Sequence, residues 1–161
     1  MDHETRFLLA SELTKHRKIV DARKVLAKAK KNSGEASPDY IVTDKLYAYR
    51  KAIRTEFVTK SEPKTIHVRL KSIKEGTNNN ILERLNGTVK DRLKVMRGMD
   101  HDKSAERMLE ANRIYYNYIR PHSALNGQTP AEKAGIDLGL EGNKWENLIR
   151  KAKTPKVIGD S

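Results

Sequence analysis

The chain has 161 residues, which is enough for one compact domain with a hydrophobic core and leaves little room for a second. Its formal net charge is +12, from 33 lysines and arginines against 21 aspartates and glutamates, which favours nucleic acid as a partner; a merely soluble or a ribosome-associated basic protein remains the alternative. The chain has no cysteine, which excludes disulfides and thiolate zinc sites, and no apolar run approaches the ~20 residues of a membrane span. The composition therefore predicts a cytoplasmic protein without a membrane partner.

The first half of the chain alternates strand and helix patterns. Residues 5–10 (TRFLLA) form an apolar run typical of a strand, and apolar residues recur at helical spacing from about 18 to 31. The sequence Asn-Ser-Gly at 32–34 is a typical helix stop. Residues 40–42 have strand character, residues 46–53 have helical spacing, and residues 66–70 alternate apolar and polar side chains as in a strand. This half therefore predicts an α/β fold.

The second half predicts mainly helices. The strongest helical pattern runs from about 79 to 97, where one apolar stripe would face a core and Gly98 would stop the helix. A second helix is predicted from about 104 to 119, followed by a loop between Pro121 and Pro130. The apolar residues around Trp145 predict a short terminal helix, and the tail from Lys151 onward has no pattern.

Two acidic residues occupy positions that suit metal-assisted phosphoryl transfer. Asp44 lies where a hydrophobic strand ends, and Glu83 lies in the first turn of the strongest helix, with Lys90 two turns further on the same polar face. Two carboxylates that share Mg²⁺ ions can activate a water or a 3′-hydroxyl, and a lysine nearby can contact a phosphate. From the pattern alone, structural roles are favoured over chemistry, because an aspartate before a helix often caps it and a glutamate in a first turn complements the helix dipole.

Three segments together resemble the DDE transposases of bacterial and archaeal insertion sequences. They are YIVTDKLYAYRKAI, NNNILERLNGTVKDRLKVMRGM and YYNYIRPHSALNGQTPAEKAGI, and they follow the family's order over roughly residues 2–136. The family belongs to the retroviral-integrase-like superfamily with the ribonuclease H fold. The resemblance implies that Asp44 is the second acid and Glu83 the third, with 38 residues between them, and that Lys90 lies near the cleaved DNA end. Residues 116–130 resemble a structural signature of the family's C-terminal helix and loop, not ligands.

The sequence departs from the family at its beginning. The family's first acid lies on an upstream strand near a Trp-x-x-Asp-x-Thr pattern, and Asp2 is only 42 positions before Asp44, short of the family's spacing. We therefore interpret Asp2 as a turn residue and expect the first strand, the first metal ligand and an upstream helix-turn-helix region to be missing. An alternative keeps Asp2 as a ligand in a compact nuclease, in which Asp2, Asp44 and Glu83 would converge.

The resemblance implies a partial, ribonuclease H-like α/β core with a mixed sheet flanked by helices over residues 1–136, and a C-terminal helix with a frayed tail over 137–161. It implies metal binding by Asp44 and Glu83, with Mg²⁺ or Mn²⁺ held weakly by two carboxylates. It also implies DNA partners, namely transposon ends and target, a homo-oligomer on that DNA, and association with the nucleoid. The predicted DNA-contacting residues are Lys90, Arg92, Lys94 and Arg97. Two histidines, His101 and His122, are predicted to be exposed or capping. The alternative function is a catalytically dead remnant that binds DNA or regulates a full-length transposase by pairing with it.

Overall fold

The computed structural model describes residues 1–44, 46–58, 65–69, 80–95 and 102–153. Its elements are α1 (Ile19–Asn32), β1 (Tyr40–Thr43), α2 (Tyr47–Glu56), β2 (Ile66–Arg69), α3 (Asn80–Val95), α4 (Asp102–Ile114), a π-helical turn (Tyr115–Ile119), a 3₁₀ turn (Ser123–Leu125), α5 (Pro130–Lys133) and α6 (Lys144–Lys153). The described part is therefore an α/β structure rich in helix. None of the described helices is long and apolar enough to cross a membrane. The predicted division at residue 136 stays a prediction.

The chain forms two compact units. The first unit contains Met1 and the described residues from Leu9 to Arg113, and the second contains Asp2–Leu8 and the described residues from Ile114 onward. Leu70, the predicted loop at 75–78, residues 79 and 96–98 of the predicted third helix and its stop, and the tail from residue 154 lie outside the described residues.

The helical core of the first unit lies between α1 and α2. Ala22 of α1 and both Ala48 and Ala52 of α2 are buried against one another, with larger apolar side chains such as Leu26 packed around them. The side chains of these three alanines are single methyl groups. Small side chains at a helix contact allow the two backbones to approach closely. The helical spacing predicted for residues 18–31 is confirmed, and α1 ends before Gly34, whose φ of 70° suits a glycine after a helix.

The sheet of the first unit consists of β1 and β2, which pair in parallel among the described residues. Tyr40 lies opposite Ile66 and Thr43 lies opposite Arg69. The entry into β2 is held by the buried Thr65, whose hydroxyl donates to the Pro38 carbonyl oxygen at 2.7 Å. A parallel pair needs a long crossover connection, and α2 lies within it, so β1, α2 and β2 form a β-α-β unit.

Residues 5–10 do not form the predicted strand. Their apolar side chains are used as predicted, since Phe7 and Leu8 are buried, and the Phe7 ring meets the Tyr118 ring edge-on at 5.9 Å between centroids. The backbone, however, pairs with a side chain instead of a strand. The Asn117 amide accepts the Leu8 N–H at 2.9 Å and donates to the Leu8 carbonyl oxygen at 3.1 Å. One amide therefore supplies the donor and acceptor that a neighbouring strand would otherwise supply.

The helix predicted for 104–119 is present and ends at Ile119, but its last turn is π-helical and not α-helical. α4 ends at Ile114 and continues as a π-helical turn, in which the Arg120 N–H donates to the Tyr115 carbonyl oxygen at 2.9 Å. The wider turn shifts the side chains that follow, so that the consecutive residues Tyr116 and Asn117 are both buried.

The loop between Pro121 and Pro130 contains an ordered turn and leads into a short helix that the sequence pattern missed. Thr129 begins α5 with a capping box, in which its hydroxyl accepts the Glu132 N–H at 3.2 Å and its own N–H donates to the Glu132 carboxylate at 2.8 Å. Together with the burial of Tyr116, Asn117 and Thr129, this shows that residues of the 116–130 signature have structural roles, and that they are not ligands stays a prediction.

Two further predictions need correction. His122 is half-buried and not exposed, and its ring meets the Tyr116 ring at 4.5 Å between centroids. It occupies the N-cap position of the 3₁₀ turn without a cap hydrogen bond from its side chain. The unpatterned tail begins later than predicted, because α6 continues through Lys153. His101 lies outside the described residues.

Candidate active site

Asp44 lies at the carboxyl end of β1, in the turn that leads into α2. Its Oδ1 atom accepts the Leu46 N–H at 3.0 Å, while Leu46 itself occupies the N-cap position of α2. Asp44 is therefore not the N-cap of α2 but lies two positions before the N-cap residue. Its side chain is exposed, and Oδ2 has no hydrogen bond with another described residue. One carboxylate oxygen is thus held by a backbone N–H, on a side chain that is exposed.

The residue before Asp44 makes a polar contact across the sheet. Thr43 is buried, and its hydroxyl lies 2.7 Å from Nε2 of His67 on β2 and 3.0 Å from the Asp44 carbonyl oxygen, to which it donates. Ile41 lies opposite His67 in the strand register, so Thr43 and His67 point to the same face of the sheet. The contact connects the end of β1 to the middle of β2.

Two neighbouring groups have perturbed pKa values. Burial raises the pKa of the half-buried Tyr49 hydroxyl, the Asp44 carboxylate raises it further, and the Arg17 guanidinium opposes both effects. Burial lowers the pKa of the His67 imidazole, and the charges of Arg69 and Arg50 lower it further. Both effects favour the neutral form of the His67 ring.

The other predicted residues lie along α3. Glu83 is exposed in the first turn, and Lys90 and Lys94 are exposed further along the helix. Seven residues are close to two full turns, which places Glu83 and Lys90 on one face. For Arg92 only the backbone, within α3, is described, and Arg97 lies outside the described residues.

The described ranges contain no group of three or more His, Asp or Glu side chains suited to a metal ion. The pairing of Asp44 with Glu83 on shared metal ions stays a prediction. Asp2 is a turn residue, as predicted: its Oδ2 accepts the Thr5 N–H at 2.8 Å and the Thr5 hydroxyl at 2.6 Å. Burial raises the pKa of the Asp2 carboxyl, but the bonds from Thr5 outweigh burial and lower it overall.

The individual carboxylates nevertheless suit a hard cation. Mg²⁺ and Mn²⁺ prefer oxygen ligands, and Mg²⁺ usually retains several waters while binding one or two carboxylates. Asp44 offers an exposed carboxylate with one oxygen already oriented, and Glu83 offers an exposed carboxylate on a helix. The donor chemistry therefore fits such an ion, and the roles of both residues as ligands stay predictions.

His67 is the residue at this site that the sequence pattern did not single out. The alternation over 66–70 predicted its strand, but the residue that it contacts depends on the register between β1 and β2. His67 is a polar residue in a stretch of alternating apolar and polar side chains, and the strand that precedes this stretch ends at Asp44. That pattern is the signal in the sequence that could have singled out His67.

Comparison with known families adds an independent observation. A family profile described as the integrase core domain matches residues 64–130. No curated protein and no solved structure matches the chain. The matched span contains β2, α3 with Glu83 and Lys90, and the buried signature that ends at Pro130, whereas Asp44 precedes it. Residues 64–130 are therefore similar to an integrase core domain, which supports an integrase- or transposase-core-like protein.

Proposed function

We propose that the chain is a transposase or integrase catalytic core with a ribonuclease H-like fold, which acts on DNA through metal ions bound by Asp44 and Glu83. The match of residues 64–130 to the integrase core domain carries this proposal. Two further observations support it. Asp44 follows a parallel strand with an exposed carboxylate, and Glu83 lies in a first helical turn within the matched span.

Each proposed residue has a role that its chemistry suits. Asp44 and Glu83 are the carboxylate ligands, and Lys90 contacts a DNA phosphate, aided by Arg92, Lys94 and Arg97. Bound Mg²⁺ or Mn²⁺ supplies a Lewis acid that favours attack on a phosphodiester by water or by a 3′-hydroxyl. The net charge of +12 supports DNA as the substrate, because phosphate neutralisation contributes most of the affinity of basic proteins for DNA.

Assembly and location extend the same proposal. Transposon ends and target are the expected DNA partners, and several copies of the chain would assemble on them in the nucleoid of the cytoplasm. With two assigned carboxylates the metal affinity is expected to be weak, and strand transfer by the chain alone is expected to be low.

Metal titration by calorimetry tests the site directly. We expect the wild type to bind Mn²⁺, and both Asp44→Asn and Glu83→Gln to lose that binding. Asp91→Asn is the matched control, because Asp91 is an exposed acid on the same helix as Glu83. Binding that survives in both site variants would refute the assignment. No binding by any form would favour the alternative function, a remnant that binds DNA or pairs with a full-length transposase.

A further inference from the structure

We infer that His67 is a positioning residue for Asp44, which it orients through the hydroxyl of Thr43. The inference rests on the proposed function, since it assigns Asp44 a metal-binding role. It adds a residue from β2 to the proposed site, and it assigns a direction to each hydrogen bond that connects them.

The direction follows from the protons available. The Thr43 hydroxyl carries a single proton, which it donates to the Asp44 carbonyl oxygen at 3.0 Å. The contact of 2.7 Å between the same oxygen and His67 Nε2 must then be donated by the imidazole. The connection therefore runs from His67 Nε2–H to Thr43 Oγ1 and from Thr43 Oγ1–H to the Asp44 carbonyl. Nε2 carries this proton in both the neutral and the protonated ring.

Hydrogen bonds fix both the backbone carbonyl and one side-chain oxygen of Asp44. The Thr43 hydroxyl holds its backbone carbonyl, and the Leu46 N–H holds its Oδ1 at 3.0 Å. Because Thr43 is buried, its hydroxyl has little access to water, and loss of the His67 donor would leave the hydroxyl oxygen without a donor. An exposed carboxylate with a fixed backbone and one fixed oxygen loses less conformational entropy when its second oxygen binds a cation.

Hydrogen bonds at the beginning of β2 support the contact between His67 and Thr43. The Thr65 hydroxyl donates to the Pro38 carbonyl, and the Ile66 N–H donates to the Asp39 carbonyl oxygen at 2.7 Å. These bonds fix the register in which His67 reaches Thr43. His67 therefore belongs to the structure that positions the end of β1, and it makes no direct contact with the proposed ligand oxygens.

Replacements at two positions test this connection. Glutamine at position 67 places an N–H donor near the position of Nε2, whereas asparagine reaches only the position of Nδ1. We expect His67→Asn and His67→Ala to weaken Mn²⁺ binding about tenfold, as outer-shell losses do, and His67→Gln to retain most of the affinity. Thr43→Val should weaken binding as His67→Ala does, because it removes the hydroxyl at nearly constant volume, and Thr43→Ser should retain binding.

Free Mn²⁺ measured by electron paramagnetic resonance gives the affinities, and circular dichroism with thermal melting identifies any variant that fails to fold. His16→Ala is the matched control, because His16 is an exposed histidine in the same unit. Loss in Asp44→Asn together with full binding in His67→Ala and His67→Asn would overturn the positioning role and leave the proposed function intact. Unchanged binding in Asp44→Asn would overturn the metal-binding role of Asp44 in the proposed function, and the positioning role with it.

The hydrogen-bond direction has its own spectroscopic signature. Nitrogen-15 chemical shifts of the neutral His67 ring are expected to show the proton on Nε2 in the wild type and a mixture of tautomers in Thr43→Val. A proton on Nδ1 in the wild type would overturn the assigned direction. This measurement needs no metal, so it separates failure of the His67 connection from failure of the metal site.

Discussion

Asn117 provides the sharpest test of how the second unit is held together. Its side chain is fully buried, and it makes two hydrogen bonds to the backbone of Leu8, which lies 109 positions earlier in the chain. Asn117→Ala removes both bonds at once. It leaves a buried N–H and a buried carbonyl oxygen of Leu8 without their partner.

The magnitude follows from these groups. Each hydrogen bond contributes about 1 kcal/mol net, and each buried polar group left unpaired costs about 1–3 kcal/mol. Water that enters the space left by the amide recovers part of this loss. We therefore expect Asn117→Ala to lower the free energy of unfolding by about 3 kcal/mol, a large share of the roughly 5–15 kcal/mol that stabilises a typical protein.

Urea unfolding followed by tryptophan fluorescence measures this change. The single tryptophan, Trp145, lies in the same unit as Asn117 and stacks on Tyr115 at 6.3 Å between centroids, so its emission reports unfolding of that unit. Gln128→Ala is the control, because it removes an exposed amide and should change stability by less than about 0.5 kcal/mol. A loss below about 1 kcal/mol in Asn117→Ala would refute the double hydrogen bond.

Asn117→Asp tests the same two hydrogen bonds with a side chain of nearly the same shape. One oxygen of the new carboxyl can still accept the Leu8 N–H, but the other faces the Leu8 carbonyl oxygen without a proton to donate. Burial raises the pKa of this carboxyl in the folded state, so folding binds a proton and stability relative to wild type rises as the pH falls. A difference from wild type that stays constant between pH 7 and pH 4 would contradict this account.

Three further predictions concern stability. Thr129→Ala removes the capping box of α5 and should lower the free energy of unfolding by about 1–2 kcal/mol, while Thr129→Ser should retain most of it. Ala52→Leu should cost about 1–3 kcal/mol, because the methyl group of Ala52 is fully buried between α1 and α2. Burial lowers the pKa of the His122 ring, and the positive charges of Arg120 and Arg6 lower it further. The hydrogen bond to the Tyr116 carbonyl raises this pKa but does not offset the other effects, so folding disfavours the protonated ring. The free energy of unfolding should therefore fall as the pH drops from about 6.5, the unfolded value, through the lower folded value.

Urea titrations measure all three, each with its own comparison. Ala27→Leu places the same side chain at an exposed position of α1 and should be nearly neutral, and an equal loss at both positions would contradict the packing argument. His122→Asn should show a weaker acid dependence than the wild type, and an unchanged dependence would assign it to other groups. Equal stability of Thr129→Ala and wild type would show that the capping box contributes nothing.

The sequence alone determined the features that depend on neighbouring residues. Apolar spacing predicted α1 and α3, the stop at 32–34 matched the end of α1, and the alternation over 66–70 predicted β2. These signals are local, because the residues that make a helical face or a turn lie within a few positions of one another. The residue types and the family resemblance likewise directed attention to Asp44 and Glu83, whose convergence on metal ions stays a prediction.

Only the tertiary structure decided the features that join distant segments. Residues 5–10 have the composition of a strand, yet their backbone pairs with the Asn117 side chain, and no property of the segment itself selects that partner. The contact between His67 and Thr43 depends on the register between the parallel strands β1 and β2, which are separated in the sequence by α2. Such pairings depend on which surfaces meet after the chain has folded, and local periodicity carries no information about that choice.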